Sequence, residues 1–182
     1  MVITMAKSRV RGIIYAAQLA ILLAISAQII IPLPLIPFTA QTLAVGVLAT
    51  ISDFSLSNWA IGGYLLLGLV GLPVFAGGTA GVGVIFGPTG GFLWGFFLQA
   101  WIIAKARQMK FKQNLIIGNL LGALAQLIIG AIWLKLVSQL SWPAAMSAGI
   151  LPFLIPGIIK GVLAALIGQL LLARLHSPLQ MR

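Results

Sequence analysis

Long apolar segments alternate along this chain with short breaks that are polar or rich in proline and glycine. A helix that crosses a membrane needs about 20 mainly apolar residues, and fewer where neighbouring protein covers its ends. No repeat or linker divides the sequence, so we expect one integral membrane domain over residues 1–182. The pattern predicts an all-α bundle of six transmembrane helices, at about residues 12–31, 38–52, 58–72, 90–106, 114–137 and 150–173.

The composition excludes an ordinary soluble fold. Hydrophobic residues make up 61% of the chain and charged residues only 7%, whereas about 25% charged residues is usual in soluble domains. The net charge of +10 would indicate a nucleic-acid partner in a soluble protein, but lysine and arginine beside membrane helices set their orientation instead. We therefore expect membrane lipid, and no nucleic acid, around this chain. The absence of cysteine excludes thiolate metal sites, and we expect no metal or cofactor.

Nine of the eleven positive charges fall on one side of the predicted bundle, because they precede the first helix, separate the fourth from the fifth, or follow the sixth. The opposite side has no charge except Lys135 close by. Regions rich in lysine and arginine stay in the cytoplasm. We therefore expect a multi-pass protein of the cell membrane with both termini cytoplasmic. The residues that carry these charges are Lys7, Arg9, Arg11, Lys105, Arg107, Lys110, Lys112, Arg174 and Arg182.

The remaining positive charge, Lys160, does not flank a helix, because it lies well inside the last predicted helix. A lysine at the centre of a membrane helix costs roughly 2.5–3.5 kcal/mol to insert. The only acidic residue of the sequence, Asp53, lies in a predicted cytoplasmic link and cannot pair with it. We therefore expect Lys160 to face an internal polar cavity.

The stretch GLPVFAGGTAGVGVIFGPTGG, residues 71–91, is too rich in glycine for a membrane helix and too apolar for a solvated loop. Irregular backbone at membrane depth is tolerated only where protein covers it or where it lines a cavity. Glycine also lets a backbone approach a ligand closely. We expect this segment to fold over the outer mouth of the bundle and to help bind a small amphipathic anion.

The chain closely resembles the BioY family in three motifs, PFTAQTLAV at 37–45, GYLLLGLVGLPVFAGG at 63–78 and GPTGGFLWGF at 87–96, and in LPFLIPGIIKG at 151–161. BioY proteins are the biotin-binding S components of energy-coupling-factor (ECF) vitamin transporters. The resemblance implies a six-helix S-component fold, capture of biotin from outside, and assembly with a membrane T component and two cytosolic ABC ATPases. The family usually has an aspartate three residues before the last-helix lysine, where this chain has Gly157.

Within this resemblance we expect ten residues to contact biotin. Lys160 would pair with the carboxylate, and Gln41, which can donate and accept, would bind the ureido group. Phe75 and Phe92 would pack against the bicyclic ring. The remaining contacts would come from Thr39, Gly77, Gly78, Gly87, Thr89 and Gly90.

Small residues are spaced by four along the first predicted helix, at Ala16, Ala20 and Ala24. This spacing lets helices approach closely in lipid. Ordinary packing inside the bundle would account for it, but the resemblance favours a docking face for the T component.

An enzyme is not expected, because a membrane hydrolase needs a nucleophile with a base or clustered carboxylates. The only histidine, His176, follows the last predicted helix, and no G-x-x-x-x-G-K-[ST] phosphate loop occurs, so ATP hydrolysis would belong to partners. Two alternatives stay open: an S component for another small anionic vitamin, and an autonomous small-solute facilitator. Ligand binding by the purified protein would separate the first from biotin capture, and transport without added ATPase would favour the second.

Overall fold

The computed structural model describes residues 2–109, 113–175 and 179, with side chains described from residue 10 onward. Four residues used in the sequence analysis, Lys110, Lys112, His176 and Arg182, lie outside the described residues, as do the side chains of Lys7 and Arg9.

The described residues are mainly helical, which confirms the all-α fold class. A short antiparallel pair, β1 (Ile30–Ile31) and β2 (Phe38–Thr39), joins the first two helices, with Ile30 opposite Thr39. Two 3-10 turns cover Ala76–Gly78 and Leu151–Phe153. The helices are α1 (Val2–Gln28), α2 (Gln41–Ile51), α3 (Phe54–Leu69), α4 (Val82–Ile85), α5 (Gly90–Arg107), α6 (Asn114–Ser138), α7 (Trp142–Gly149) and α8 (Leu154–Arg174).

Three segments of the described residues are long and apolar enough to cross a membrane: Val10–Gln28, Asn114–Ser138 and Trp142–Arg174. Helices α2 and α3 are apolar but have only 11 and 16 residues. Exposed isoleucine, leucine and tryptophan side chains cover the outside of the bundle, as a lipid environment requires. The chain is therefore a multi-pass membrane protein, and its six crossings stay a prediction.

Helix α7 lies in a region that the sequence analysis treated as a break. The hydroxyl oxygen of Ser141 accepts a hydrogen bond from the backbone N–H of Ala144 and caps the helix. Pro143 stands in the first turn, where a missing N–H removes no helical hydrogen bond. A proline in a segment predicted as a break therefore stands in the first turn of a helix.

Helix α2 lies at the centre of the bundle and packs most extensively against α8 and α5. Its approach depends on missing side chains: a Cβ atom at Gly46 would stand 2.5 Å from Asn119 Oδ1 and 2.6 Å from Ala164 Cβ. A Cβ atom at Gly168 of α8 would likewise collide with Thr50. Close contact of α2 with α6 and α8 therefore requires glycine at these positions.

One end of the bundle gathers the ends of α2 and α5 with the chain that follows α8. Arg107 donates from Nη1 to the backbone carbonyls of Thr50 and Ser52. The backbone N–H of Asp53 donates to the carbonyl of Leu179 at 2.9 Å. Positive charges at the start of α1 and at the ends of α5 and α8 therefore mark one end, and the hairpin with the glycine-rich segment marks the other.

The small residues of α1 point mainly into the bundle. Ala16 and Ala20 are 8% and 3% exposed, and Ala24 is half-buried. Helix α1 packs along α3, where a Cβ atom at Gly63 would stand 3.9 Å from Ala20 Cβ. This burial favours the internal-packing interpretation over a docking face for a partner.

Replacing Ala20 with tryptophan should destabilise the protein itself. The indole has to push α1 away from α3, and overpacking of this kind typically costs about 1–3 kcal/mol. We expect a lower thermal unfolding midpoint for Ala20→Trp in detergent, and no change for Ala17→Trp, whose position on the same helix is exposed. An Ala20→Trp protein that unfolds like the wild type yet fails to bind a membrane partner would restore the docking interpretation.

Candidate functional site

A cavity opens where the first turns of α2 and α5 meet the first half of α8. It contains about 570 Å³ of empty space, counting its open mouth. The residues that line it are Ile36, Pro37, Thr39, Gln41, Thr42, Phe75, Ala76, Val84, Thr89, Phe92, Leu93, Phe96, Gln126, Leu127, Phe153 and Lys160.

Lys160 brings a positive charge into this cavity. Its ammonium donates a hydrogen bond to the carbonyl of Thr39 and lies 3.4 Å from the centroid of the Phe38 ring, a cation–π arrangement. Because α8 begins at Leu154, Lys160 lies about 9 Å along the helix, closer to its end than the sequence predicted. An ammonium has three N–H donors, so Lys160 has donors left for an anion.

The protein supplies no side-chain carboxylate to this charge. The only acidic residue of the sequence is Asp53, which follows α2 at the end away from Thr39. Eleven helical residues separate the two ends of α2 by about 16 Å. Asp53 Oδ1 accepts the backbone N–H of Leu56 at 2.7 Å and caps α3. The single acidic side chain of the sequence is therefore too far away to pair with Lys160.

A buried hydrogen-bond network fixes the start of α2 beside Lys160. Thr39 Oγ1 donates to Gln41 Oε1 at 2.9 Å, and Gln41 Nε2 donates to the hydroxyl oxygen of Tyr64. Gln41 is 4% exposed and Tyr64 is fully buried. Gln41 is therefore held by its neighbours, with one N–H and one lone pair left over.

Tyr64 is a residue that the sequence analysis did not single out. Its ring also meets Phe75 edge to face, with the centroids 5.4 Å apart. A tyrosine within an apolar helix indicates a buried polar contact, because a buried hydroxyl needs a hydrogen-bond partner. Its partner, Gln41, became visible only in the folded chain.

Aromatic side chains form the apolar walls of the cavity. Phe75 is fully buried, and Phe92 and Phe153 are each 8% exposed with ring centroids 6.4 Å apart. Phe96 and Ile36 are buried beside them. Phe96 and Phe153 stand within the family motifs, but their apolar character alone did not separate them from ordinary core residues.

An amide group provides a hydrogen-bond acceptor in this wall. Gln126 is 3% exposed, and its Nε2 donates to the carbonyl of Phe92 at 3.1 Å. Its Oε1 has no hydrogen-bond donor among the described residues. The cavity therefore combines a cation, an available acceptor and aromatic walls.

Six of the ten sequence-predicted residues line the cavity, namely Lys160, Gln41, Thr39, Phe75, Thr89 and Phe92. The four glycines Gly77, Gly78, Gly87 and Gly90 are not among the lining residues. Gly77 and Gly78 have φ angles of 66° and 74° and form a turn, a conformation that favours glycine. A Cβ atom at Gly90 would collide with the carbonyl of Ile85. These glycines therefore shape the segment and lie outside the lining.

Two side chains hold the glycine-rich segment in place. Gln28 at the end of α1 donates from Nε2 to the carbonyl of Phe75 at 3.2 Å. Trp133 of α6 donates from Nε1 to the carbonyl of Gly87 at 2.9 Å. The segment between these anchors directs Phe75, Val84 and other side chains into the cavity.

No group of three histidine, cysteine, aspartate or glutamate side chains that could hold a metal lies together in the parts of the chain that the structure describes.

Known proteins are similar to this chain in sequence over most of its length. The model of the BioY family matches residues 3–177. The biotin transporter BioY2 of Lactococcus lactis subsp. cremoris (strain MG1363) is 42% identical over 158 residues, which cover 86% of this chain and 87% of that protein. The biotin transporter BioY of Thermotoga maritima is 34% identical over 157 residues, covering 86% and 93%.

A solved structure has the same fold. The crystal structure of the S-component for biotin from an ECF-type ABC transporter aligns with a TM-score of 0.83 over 94% of this chain and 95% of that chain, at 23% identity. The resemblance in fold thus extends over the helices that form the cavity. Together with the family match, it shows that this chain belongs to the BioY family.

Proposed function

We propose that this chain is the substrate-capture subunit of an ECF-type biotin transporter and that biotin binds in the cavity between α2, α5 and α8. The observation that carries the proposal is Lys160, a cation inside a largely apolar cavity of a family whose relatives are named as biotin transporters. A bound carboxylate would supply the counter-ion that the sequence lacks.

The chemistry of biotin suits the groups available in this cavity. Its carboxylate can accept charge-assisted hydrogen bonds from Lys160, and such bonds are stronger than neutral ones. Its bicyclic ring presents apolar surface to Phe75, Phe92 and Phe153. Thr39 and Thr89 add polar contacts at the edge. The glycine-rich segment covers the ligand with its own side chains Phe75 and Thr89, while its glycines form the turns.

The direction of capture follows from charge. The cavity opens at the end of the bundle away from Arg11, Lys105, Arg107 and Arg174. Segments rich in lysine and arginine beside membrane helices stay in the cytoplasm. In the cell membrane, the mouth of the cavity therefore faces outward and both termini lie in the cytoplasm. The chain is not an enzyme and has no phosphate-binding loop, so a T component and two cytosolic ABC ATPases would power release.

The Lys160→Met variant tests the placement of the ligand. Methionine keeps much of the length and removes the charge, so the fold should survive while biotin binds roughly tenfold to a hundredfold more weakly, the effect of losing about 1.5–3 kcal/mol of charged hydrogen bonding. Titration of the purified protein with biotin and with uncharged biotin amide gives the measurement. The amide should bind wild type more weakly than biotin and lose much less on mutation.

Equal losses for biotin and its amide would show that Lys160 does not contact the carboxylate. If the wild-type protein binds another small anionic vitamin in preference to biotin, the proposed substrate is wrong but the proposed binding cavity still stands. Uptake in cells without any ATPase partner would instead favour a facilitator.

Cysteine labelling tests the orientation, since the natural chain has no cysteine. Ser141 is exposed next to α7, at the proposed outer end, and Ser55 is exposed in the first turn of α3, at the proposed inner end. A membrane-impermeant thiol reagent should label Ser141→Cys in intact cells and Ser55→Cys only after permeabilisation. The reverse pattern would invert the protein and place the cavity mouth in the cytoplasm.

A further inference from the structure

Gln126 of α6 has a buried acceptor that the structure leaves unused. We propose that Gln126 Oε1 accepts a hydrogen bond from one ureido N–H of the bound ligand, so that Gln126 selects for a cyclic urea whose nitrogen carries a hydrogen. The inference rests on the proposed function, because it assumes that the ligand of the cavity is biotin.

The position of the Gln126 side chain is fixed by its surroundings. At Gly95 of α5 a Cβ atom would stand 3.0 Å from Gln126 Cγ and 3.1 Å from its Cα, so the helices touch at this point. The Nε2 atom donates to the carbonyl of Phe92, which assigns the donor end of the amide. The remaining end is Oε1, an acceptor with two lone pairs.

The acceptor is buried and lacks a donor. Gln126 is 3% exposed, and no described residue donates to Oε1. A buried amide oxygen without a donor costs free energy, and a ligand N–H that reaches it removes this cost. Gln126 lines the same cavity as Lys160, so a ligand that fills the cavity lies against both side chains.

Other polar groups of the cavity are less suited to receive an N–H. Lys160 is a donor only. Thr39 and Gln41 are bonded to each other, and Gln41 also to Tyr64. Gly157 of α8 has no side chain that could accept an N–H. The space beside it is open enough for one, because a Cβ atom there would lie 3.8 Å from Leu127 Cδ1, an ordinary contact distance. Gln126 differs from Gln41 in that no described residue donates to its Oε1, so both lone pairs of this acceptor are unused.

Gln99 of α5 provides a matched control. It is 1% exposed, its Nε2 donates to the carbonyl of Thr42 at 3.0 Å, and its Oε1 has no donor among the described residues. It differs in that it is not among the lining residues of the cavity. General damage from losing a buried amide should affect both glutamines, whereas contact with the ligand should affect Gln126 alone.

The experiment compares biotin with its two derivatives that carry a methyl group on one or the other ureido nitrogen. Titrations use the purified wild type and the Gln126→Met and Gln99→Met variants. One of the two derivatives should bind wild type about tenfold more weakly than biotin. Gln126→Met should bind biotin about tenfold more weakly and should no longer distinguish biotin from that derivative. Gln99→Met should keep the wild-type discrimination.

Two outcomes would overturn the inference alone, with biotin binding intact. In the first, the wild type binds both methylated derivatives as tightly as biotin, a result that does not depend on how any variant folds. In the second, Gln126→Met keeps the full wild-type discrimination, so that another group receives the N–H. A wild-type protein that fails to bind biotin at all would overturn the proposed function and this inference together.

Discussion

The charge of Lys160 is the constraint on which the site depends. Lys160 is half-buried, and an ammonium among apolar helices is unfavourable. The sequence has a single acidic residue, which lies at the other end of α2. The protein therefore holds the charge with the carbonyl of Thr39 and the face of Phe38. These contacts join α8 to the start of α2 and leave the charge without a counter-ion. The proposed anionic ligand would supply the missing counter-ion.

The other contacts of the site hold the start of α2 and the glycine-rich segment in fixed positions around Lys160. The chain of hydrogen bonds from Thr39 through Gln41 to Tyr64 fixes the start of α2, and Tyr64 supports Phe75. Gln28 and Trp133 hold the glycine-rich segment from two sides. The walls of the cavity are thus largely formed before a ligand arrives, which reduces the entropy lost on binding.

The sequence predicted α5 and α6 to within one residue at each end, because charged or glycine-rich breaks bound their apolar segments. It missed α7, since Pro143 in a first turn looks like a break. The position of Lys160 in a cavity was predictable from the sequence, because a charged side chain that faces lipid is unfavourable. The glycines were harder to interpret, because glycine serves close packing and turns as well as ligand contact. The contacts of Tyr64 depend on a partner distant in sequence and were visible only in the fold.

If biotin binds between α2, α5 and α8, this chain alone should form a complete biotin site. Equilibrium dialysis of the purified protein against radiolabelled biotin, with no T component or ATPase present, tests it most directly. We expect saturable binding of one biotin per chain, displaced by excess unlabelled biotin. Binding that fails to saturate, or that requires the partner subunits, would contradict it.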